Sequence, residues 1–389
     1  MDPVTNPYSP GAGRPPAALV GREAQLSAWA TAIARVHAGR DAQSITLYGL
    51  RGVGKTVLLS RFSRMARDLD WVVAQIEAKP GNSMRDLIGE ALRDELIELA
   101  RPGLGRRVLT ALKTYLSFKA SYDTNGTWSF GLDLKDAEGG GADSGAFEPD
   151  LGKLLKDLSG AAEERGVGVA LLIDEAQDLP NEELVALCSI LHGATQRQER
   201  LVVTLAGLPS LPRKLAEAKS YAERQFSFHV IDALSEADAA DALINPALDE
   251  GAQWDPDAVD HVVARAGGYP YFLQQYGQEV WNVAEGSTIT RADARQWVEI
   301  GQLALDSGFF RIRWDRATPA EKDYLKAMAV DGDAGSLTGA VADRLHKKIT
   351  AIGPTRANLI NKGLVYSPDH GIVAYTVPAM AAFVRRQPV

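Results

Sequence analysis

At 389 residues the chain is longer than one ordinary domain of about 150 residues, and two or three are expected. With 46% apolar and 24% charged residues it can build real cores, which excludes global disorder. No apolar run approaches the ~18 residues of a membrane helix. The opening MDPVTNPYSPGAGRPP lacks the basic-then-apolar pattern of a secretion signal and reads as a mobile, disordered Pro/Gly arm over 1–16.

The lone cysteine, Cys188, cannot make an internal disulfide, and no Cys/His cluster suggests a metal, so a reducing cytoplasm is the expected setting. The net charge of −8 is unevenly spread: residues 311–389 carry 12 Lys/Arg against 7 Asp/Glu, a basic tail on an acidic body.

Residues 44–48 form a short apolar strand that runs into a Gly-rich turn and then a helical pattern over 56–68. Further apolar runs at 71–76, 169–173, 201–205 and 226–231 alternate with helix-length segments at 84–99, 151–164 and 181–196. Strands alternating with helices predict an α/β fold with a parallel sheet covered on both faces. Between them, 114–122 and 127–134 are β-like runs joined by Asp123-Thr124-Asn125-Gly126, so 101–150 reads as an insertion carrying a hairpin. Residues 232–305 read as a small helical domain broken at Gly267-Gly268-Tyr269-Pro270. Within 306–389, helices at 319–328, 338–345 and 354–362 precede strands at 364–366 and 372–376. Three helices and a two-stranded wing describe a winged helix.

Gly49-Leu50-Arg51-Gly52-Val53-Gly54-Lys55-Thr56 matches the P-loop pattern in full, between a predicted strand and a predicted helix that continues at Val57. Its glycines let backbone N–H groups close around a phosphate. Lys55 reaches the β and γ oxygens, and Thr56 offers a hydroxyl to Mg²⁺. At the end of the 169–173 strand, Asp174 is placed to hold that Mg²⁺ and Glu175 to polarise an attacking water, a second carboxylate that hydrolysing NTPases need and small-molecule kinases do not. Guanine specificity would require an Asn/Thr-Lys-x-Asp string. The nearest match, Asn361-Lys362-Gly363-Leu364, has leucine at the carboxylate position, so ATP is the expected nucleotide.

Val20-Gly21-Arg22-Glu23 ahead of the P-loop, the Asp174-Glu175 pair and Gly268-Tyr269-Pro270 together resemble the AAA+-related ATPases, both the origin-recognition-complex-like group and the signal-transduction (STAND) ATPases. The resemblance covers roughly residues 17–305, with 17–231 as the P-loop ATPase domain and 232–305 as its helical lid. It implies a P-loop NTPase sheet of order 5-1-4-3-2, adenine held between the Val20-Gly21 segment and the lid near Pro270, and ATP-driven rotation of lid against sheet. It also implies an arginine finger at Arg224, acting on a neighbouring subunit, and a polar sensor at the end of the fourth strand. Thr204 alone is available there, since Leu208 stands where related proteins carry an amide. Pro270 falls near the place of a lid sensor arginine, which favours the STAND branch.

In the tail, the expected reading face for double-stranded DNA holds Thr355, Arg356, Asn358, Asn361 and Lys362, with Lys347 and Lys348 ahead of it for backbone contacts. Three readings stay open: an ATP-driven switch whose tail contacts DNA or a protein effector, a DNA-binding regulator or loader whose self-association ATP controls, and a signalling scaffold. No membrane partner is expected.

Overall fold

The computed structural model describes residues 1–11, 13–100, 105–120 and 140–388. Strands β1 (Ser44–Tyr48), β2 (Val72–Glu77), β3 (Val169–Asp174), β4 (Leu201–Gly207) and β5 (Phe226–Val230) form one sheet in the order β2-β3-β4-β1-β5. Every pairing is parallel. Read from the other edge this is the expected 5-1-4-3-2. All six residues of β3 and all seven of β4 are buried, as continuous apolar strands must be when helices cover both faces.

On one face lie α1 (Glu23–His37) and α2 (Lys55–Arg67), joined by Trp29 stacked on Phe62 at 4.9 Å. The other face is covered by α3 (Met84–Ala100), α4 (Arg106–Ala120), α5 (Phe147–Glu164) and α6 (Asn181–Gln196), with the short α7 (Leu211–Ala218) and α8 (Ala222–Gln225) leading into β5.

The expected hairpin is corrected here. Residues 114–120 are the end of α4, and its buried Val108, Ala111, Leu112, Tyr115 and Phe118 recur at helical spacing. The alternating appearance of 114–122 concealed that stripe. The turn at 123–126 and the second run at 127–134 lie outside the described residues. A buried ion pair, Arg85 to Asp150 at 2.8 Å, joins α3 to α5, and the Arg85 guanidinium lies 4.6 Å from the Phe118 ring centre.

Beyond the sheet, α9 (Glu236–Asp249), α10 (Pro256–Ala266), α11 (Pro270–Val283) and α12 (Arg291–Ala304) form the lid. The two-residue strands β6 (Gln253–Trp254) and β7 (Thr288–Ile289) pair within it, too short for the sequence to signal.

The arm, expected to be disordered, is docked on the lid through residues 2–8. Tyr8 is 1% exposed, packed edge-on against Trp254 and Trp281, with its hydroxyl donating to the Leu243 carbonyl. Asn6 bonds Asn282 at 2.7 Å, and the Trp281 indole donates to the Asp2 carbonyl. A Pro/Gly-rich composition signalled freedom, but one aromatic with a matching lid pocket outweighs it.

A π-helical turn, Leu305–Phe310, leads through α13 (Arg311–Asp315) into the C-terminal unit. That unit contains α14 (Pro319–Ala329), β8 (Ser336–Leu337), α15 (Thr338–Arg344), α16 (Ile349–Asn361), β9 (Val365–Tyr366), β10 (Ile372–Tyr375) and α17 (Met380–Arg385). Its strands pair antiparallel in the order β8-β10-β9. Helix α16 begins five residues before Pro354, which sits inside it rather than at its start. Lid and C-terminal unit share one continuous apolar core, linked by Phe310 stacked on Phe383.

Candidate nucleotide site

The P-loop joins β1 to α2, and its backbone explains its glycines. A Cβ on Gly49 would fall 1.9 Å from the Ile231 carbonyl, and Gly54 caps α2 at φ +98°, in left-handed space. Helix α2 thereby aims its free N–H groups into a cleft of about 590 Å³ between sheet and lid. Lys55 lies within the loop, its Nζ donating to the carbonyls of Gly49 and Leu50, each at 2.8 Å. Burial pulls its ammonium down to about 8, opposed by the charges of Glu175 and Asp174.

Across the cleft mouth, the end of β3 presents Asp174, whose Oδ2 accepts from the Thr56 hydroxyl at 2.6 Å. Burial raises the Asp174 carboxyl, opposed by that bond. Two hard oxygen donors side by side, with no further acidic cluster among the described residues, fit Mg²⁺ held by one or two protein oxygens and phosphates.

Glu175 turns off the strand in a left-handed conformation, φ 49°. Its carboxylate is held at both oxygens: Arg51 Nη1 lies 3.2 Å from Oε1, and Arg51 Nη2 and Gln177 Nε2 donate to Oε2 at 3.4 and 2.6 Å. Gln177 also accepts from the Leu208 N–H through Oε1 at 2.8 Å, tying the ends of β3 and β4 together.

Of the residues expected to hold nucleotide, Val20, Arg22, Arg51 to Val57 and Pro270 line the cleft. Gly21 adjoins Val20 with φ +66°. Arg22 is buried and works inward, donating to the Val53 and Asp232 carbonyls at 3.1 and 2.7 Å, so it braces the loop. Residues of the arm, Ser9 to Gly11 with Gly13 and Arg14, border the same cleft.

One expectation is displaced. Thr204 is fully buried in mid-strand, paired with Ile45 and Leu172, and its hydroxyl has no partner; it does not reach the cleft. Arg224 is exposed on α8 in a separate depression with Arg35, His192 and Tyr221.

Sequence reasoning missed Gln177, Tyr271 and Arg313. Gln177 stood in view beside the acidic pair. Tyr271 follows Pro270 on α11 and stacks on Phe309 at 4.8 Å, giving the cleft an aromatic wall. Nothing local to its sequence would single out Arg313.

In the tail, Lys347, Lys348, Asn358 and Asn361 are exposed, and Thr355 is half-buried. Arg356 and Lys362 are corrections to the expected reading face. Arg356 donates to Ser367 Oγ and the Ile372 carbonyl, fastening helix to hairpin, and Lys362 pairs with the buried Glu321 at 2.6 Å. The unit rests on the P-loop: the Arg51 N–H donates to the Thr376 carbonyl at 2.8 Å, and Arg213 donates to the Ser367 carbonyl at 3.2 Å.

Among the described residues no helix is long and apolar enough to cross a membrane. Residues 18–203 match the model of the AAA ATPase domain, and residues 307–384 match a domain of unknown function, DUF8462. No curated protein matches the chain. Among solved structures, the Walker-type ATPase PABY2304 of Pyrococcus abyssi is similar at 15% identity and TM-score 0.55, over 94% of this chain and 96% of that one. The ADP form of the Aeropyrum pernix ORC2 protein is similar at 15% identity and TM-score 0.51, over 96% and 95%. Residues 18–203 are therefore similar to the AAA ATPase domain, and the chain shares its fold with the Pyrococcus abyssi Walker-type ATPase and the Aeropyrum pernix ORC2 protein.

Proposed function

We propose that the chain binds and hydrolyses ATP with Mg²⁺ and uses the nucleotide to change how the lid and C-terminal unit sit on the sheet. The observation that carries this reading is the 2.6 Å contact of Thr56 with Asp174 beside Lys55, inside a complete P-loop and facing an aromatic lid wall. Lys55 and the loop amides would hold the phosphates, while Thr56 and Asp174 would hold the metal. Bound there, Mg²⁺ would neutralise charge on the β and γ oxygens. Val20, Pro270 and Tyr271 would enclose the base.

Glu175 would orient and deprotonate the attacking water once its carboxylate leaves Arg51. In the observed arrangement both of its oxygens are engaged by Arg51 and Gln177 rather than by a water, so this would be a resting one, in keeping with slow turnover. Arg224 would act in trans: it is exposed and, among the described residues, lies within ion-pair distance of no carboxylate, so a neighbouring subunit could receive it.

The C-terminal unit reads as a winged helix. Its contacts with Arg51 and Arg213 favour an internal clamp on the nucleotide domain. Duplex DNA binding through Lys347, Lys348, Asn358 and Asn361 is the second reading, favoured by their exposure, and docking of a separate effector protein is the third.

The test is ATP turnover and binding in wild type, Lys55→Ala and Glu175→Gln. Wild type is expected to hydrolyse ATP, Lys55→Ala to lose binding, and Glu175→Gln to retain ATP without turnover. A wild type that neither binds nor hydrolyses ATP contradicts the proposal.

A further inference from the structure

The π-helical turn lies where the lid passes into the C-terminal unit, and such turns are rare and frequent at functional sites. Here it brings Leu305, Gly308 and Phe309, followed by Ile312 and Arg313, to the wall of the nucleotide cleft. Arg313 is half-buried. Its guanidinium lies 4.0 Å from the Phe309 ring centre, and Nη1 donates to the Phe309 carbonyl at 2.5 Å.

Among the described residues no carboxylate comes within 4.0 Å of it, whereas two other arginines of the cleft are engaged: Arg51 has Glu175, and Arg22 has two carbonyls beyond its own turn. The charged groups around Arg313 are themselves cationic. Burial first, and then the Arg51 guanidinium, pull it down to about 10, with Arg316 adding to the effect and the Tyr271 hydroxyl opposing it. It stays charged at neutral pH. A cation held in a partly dry cleft beside other cations, with no counter-ion, is stabilised when an anion enters. The cradle opposite, with Lys55 and the free N–H groups of α2, is built for phosphate.

We propose that Arg313 binds the terminal phosphate of a nucleoside triphosphate from the C-terminal side of the cleft, completing a site whose other wall is the P-loop. Resting on the ATP-binding reading above, this names the contact by which the C-terminal unit senses the nucleotide. With a terminal phosphate present, Arg313 gains the partner it lacks. With a diphosphate that contact is missing, while the bonds to Arg51 and Arg213 remain.

The experiment is calorimetric binding of ADP and of a nonhydrolysable ATP analogue, each with Mg²⁺, to the full-length wild type and to Arg313→Ala, Arg313→Lys and Arg316→Ala. A charge-assisted contact of this kind predicts that Arg313→Ala weakens the analogue by about 10- to 100-fold and ADP by no more than about threefold. Arg313→Lys recovers part of the difference, and Arg316→Ala, which removes a nearby charge outside the cleft, binds both as wild type does. Equal weakening of both nucleotides by Arg313→Ala, or none, overturns the proposal. Thermal melts of each variant distinguish misfolding, and Arg313→Lys keeps the question answerable if the alanine variant does not fold. A wild type that binds neither nucleotide overturns the ATP-binding reading itself, a result separate from wild-type binding with Arg313 indifferent.

Discussion

Lys55 sets a pH dependence at the residue scale. Its ammonium is pulled down to about 8 by burial, and a bound polyphosphate must raise it, because binding favours the charged form. Nucleotide affinity is therefore full below pH 8 and falls as pH rises through it, by roughly tenfold at pH 9 if the bound value stays well above that. Proton uptake on binding near pH 8.5, seen as heat that depends on the buffer's ionisation enthalpy, checks the sign. Proton release would contradict it. Gln177 makes a second prediction. It joins Glu175 to the Leu208 N–H, so Gln177→Ala is expected to keep ATP affinity and lower turnover by roughly tenfold through a misplaced Glu175.

At the element scale, α3 and α5 are joined by a buried ion pair, and replacing one partner strands the other. Asp150→Asn is expected to destabilise by about 3 kcal/mol or more in chemical denaturation. Burial raises the Asp150 carboxyl, but bonds from Ser144 and Arg85 outweigh it and the net shift is downward. Its stabilising share is accordingly present at neutral pH and lost as pH falls through the folded value. The arm carries a comparable prediction: Tyr8→Ala empties a pocket between Trp254 and Trp281 and should cost on the order of 3 kcal/mol, with faster cleavage of the arm by a protease of broad specificity such as proteinase K.

These elements also mark where the sequence could and could not be read. The P-loop, the five strands and the acidic pair are local signals, in which chemistry and backbone demand the same residues at fixed spacing. The docked arm, the parallel β6-β7 pair and the cleft-facing Arg313 depend on partners far along the chain. Helix α4 was misread because Thr114, Leu116 and Phe118 alternate with polar or aromatic residues in a way that fits both periods. Arg356 and Lys362 have the right chemistry for DNA, and only the fold shows that Ser367 and Glu321 already engage them.

For the whole molecule, lid and C-terminal unit share one core while the sheet has its own on each face, so the natural division for movement is sheet against lid plus C-terminal unit. A chain ending at residue 305 would expose apolar surface around Phe272, which packs on Phe309 and Phe310, and is expected to aggregate or melt at lower temperature than the full chain. Arg51 stands at the junction of these bodies: its side chain holds Glu175 and its backbone holds the C-terminal unit. The account rests on that cleft receiving a magnesium nucleotide. Its most direct test is titration of a nonhydrolysable ATP analogue with Mg²⁺ into the full-length protein and into Lys55→Ala, followed by calorimetry. The account predicts one saturable site per chain in wild type and its loss in the variant; no heat from wild type, or equal binding by both, would contradict it.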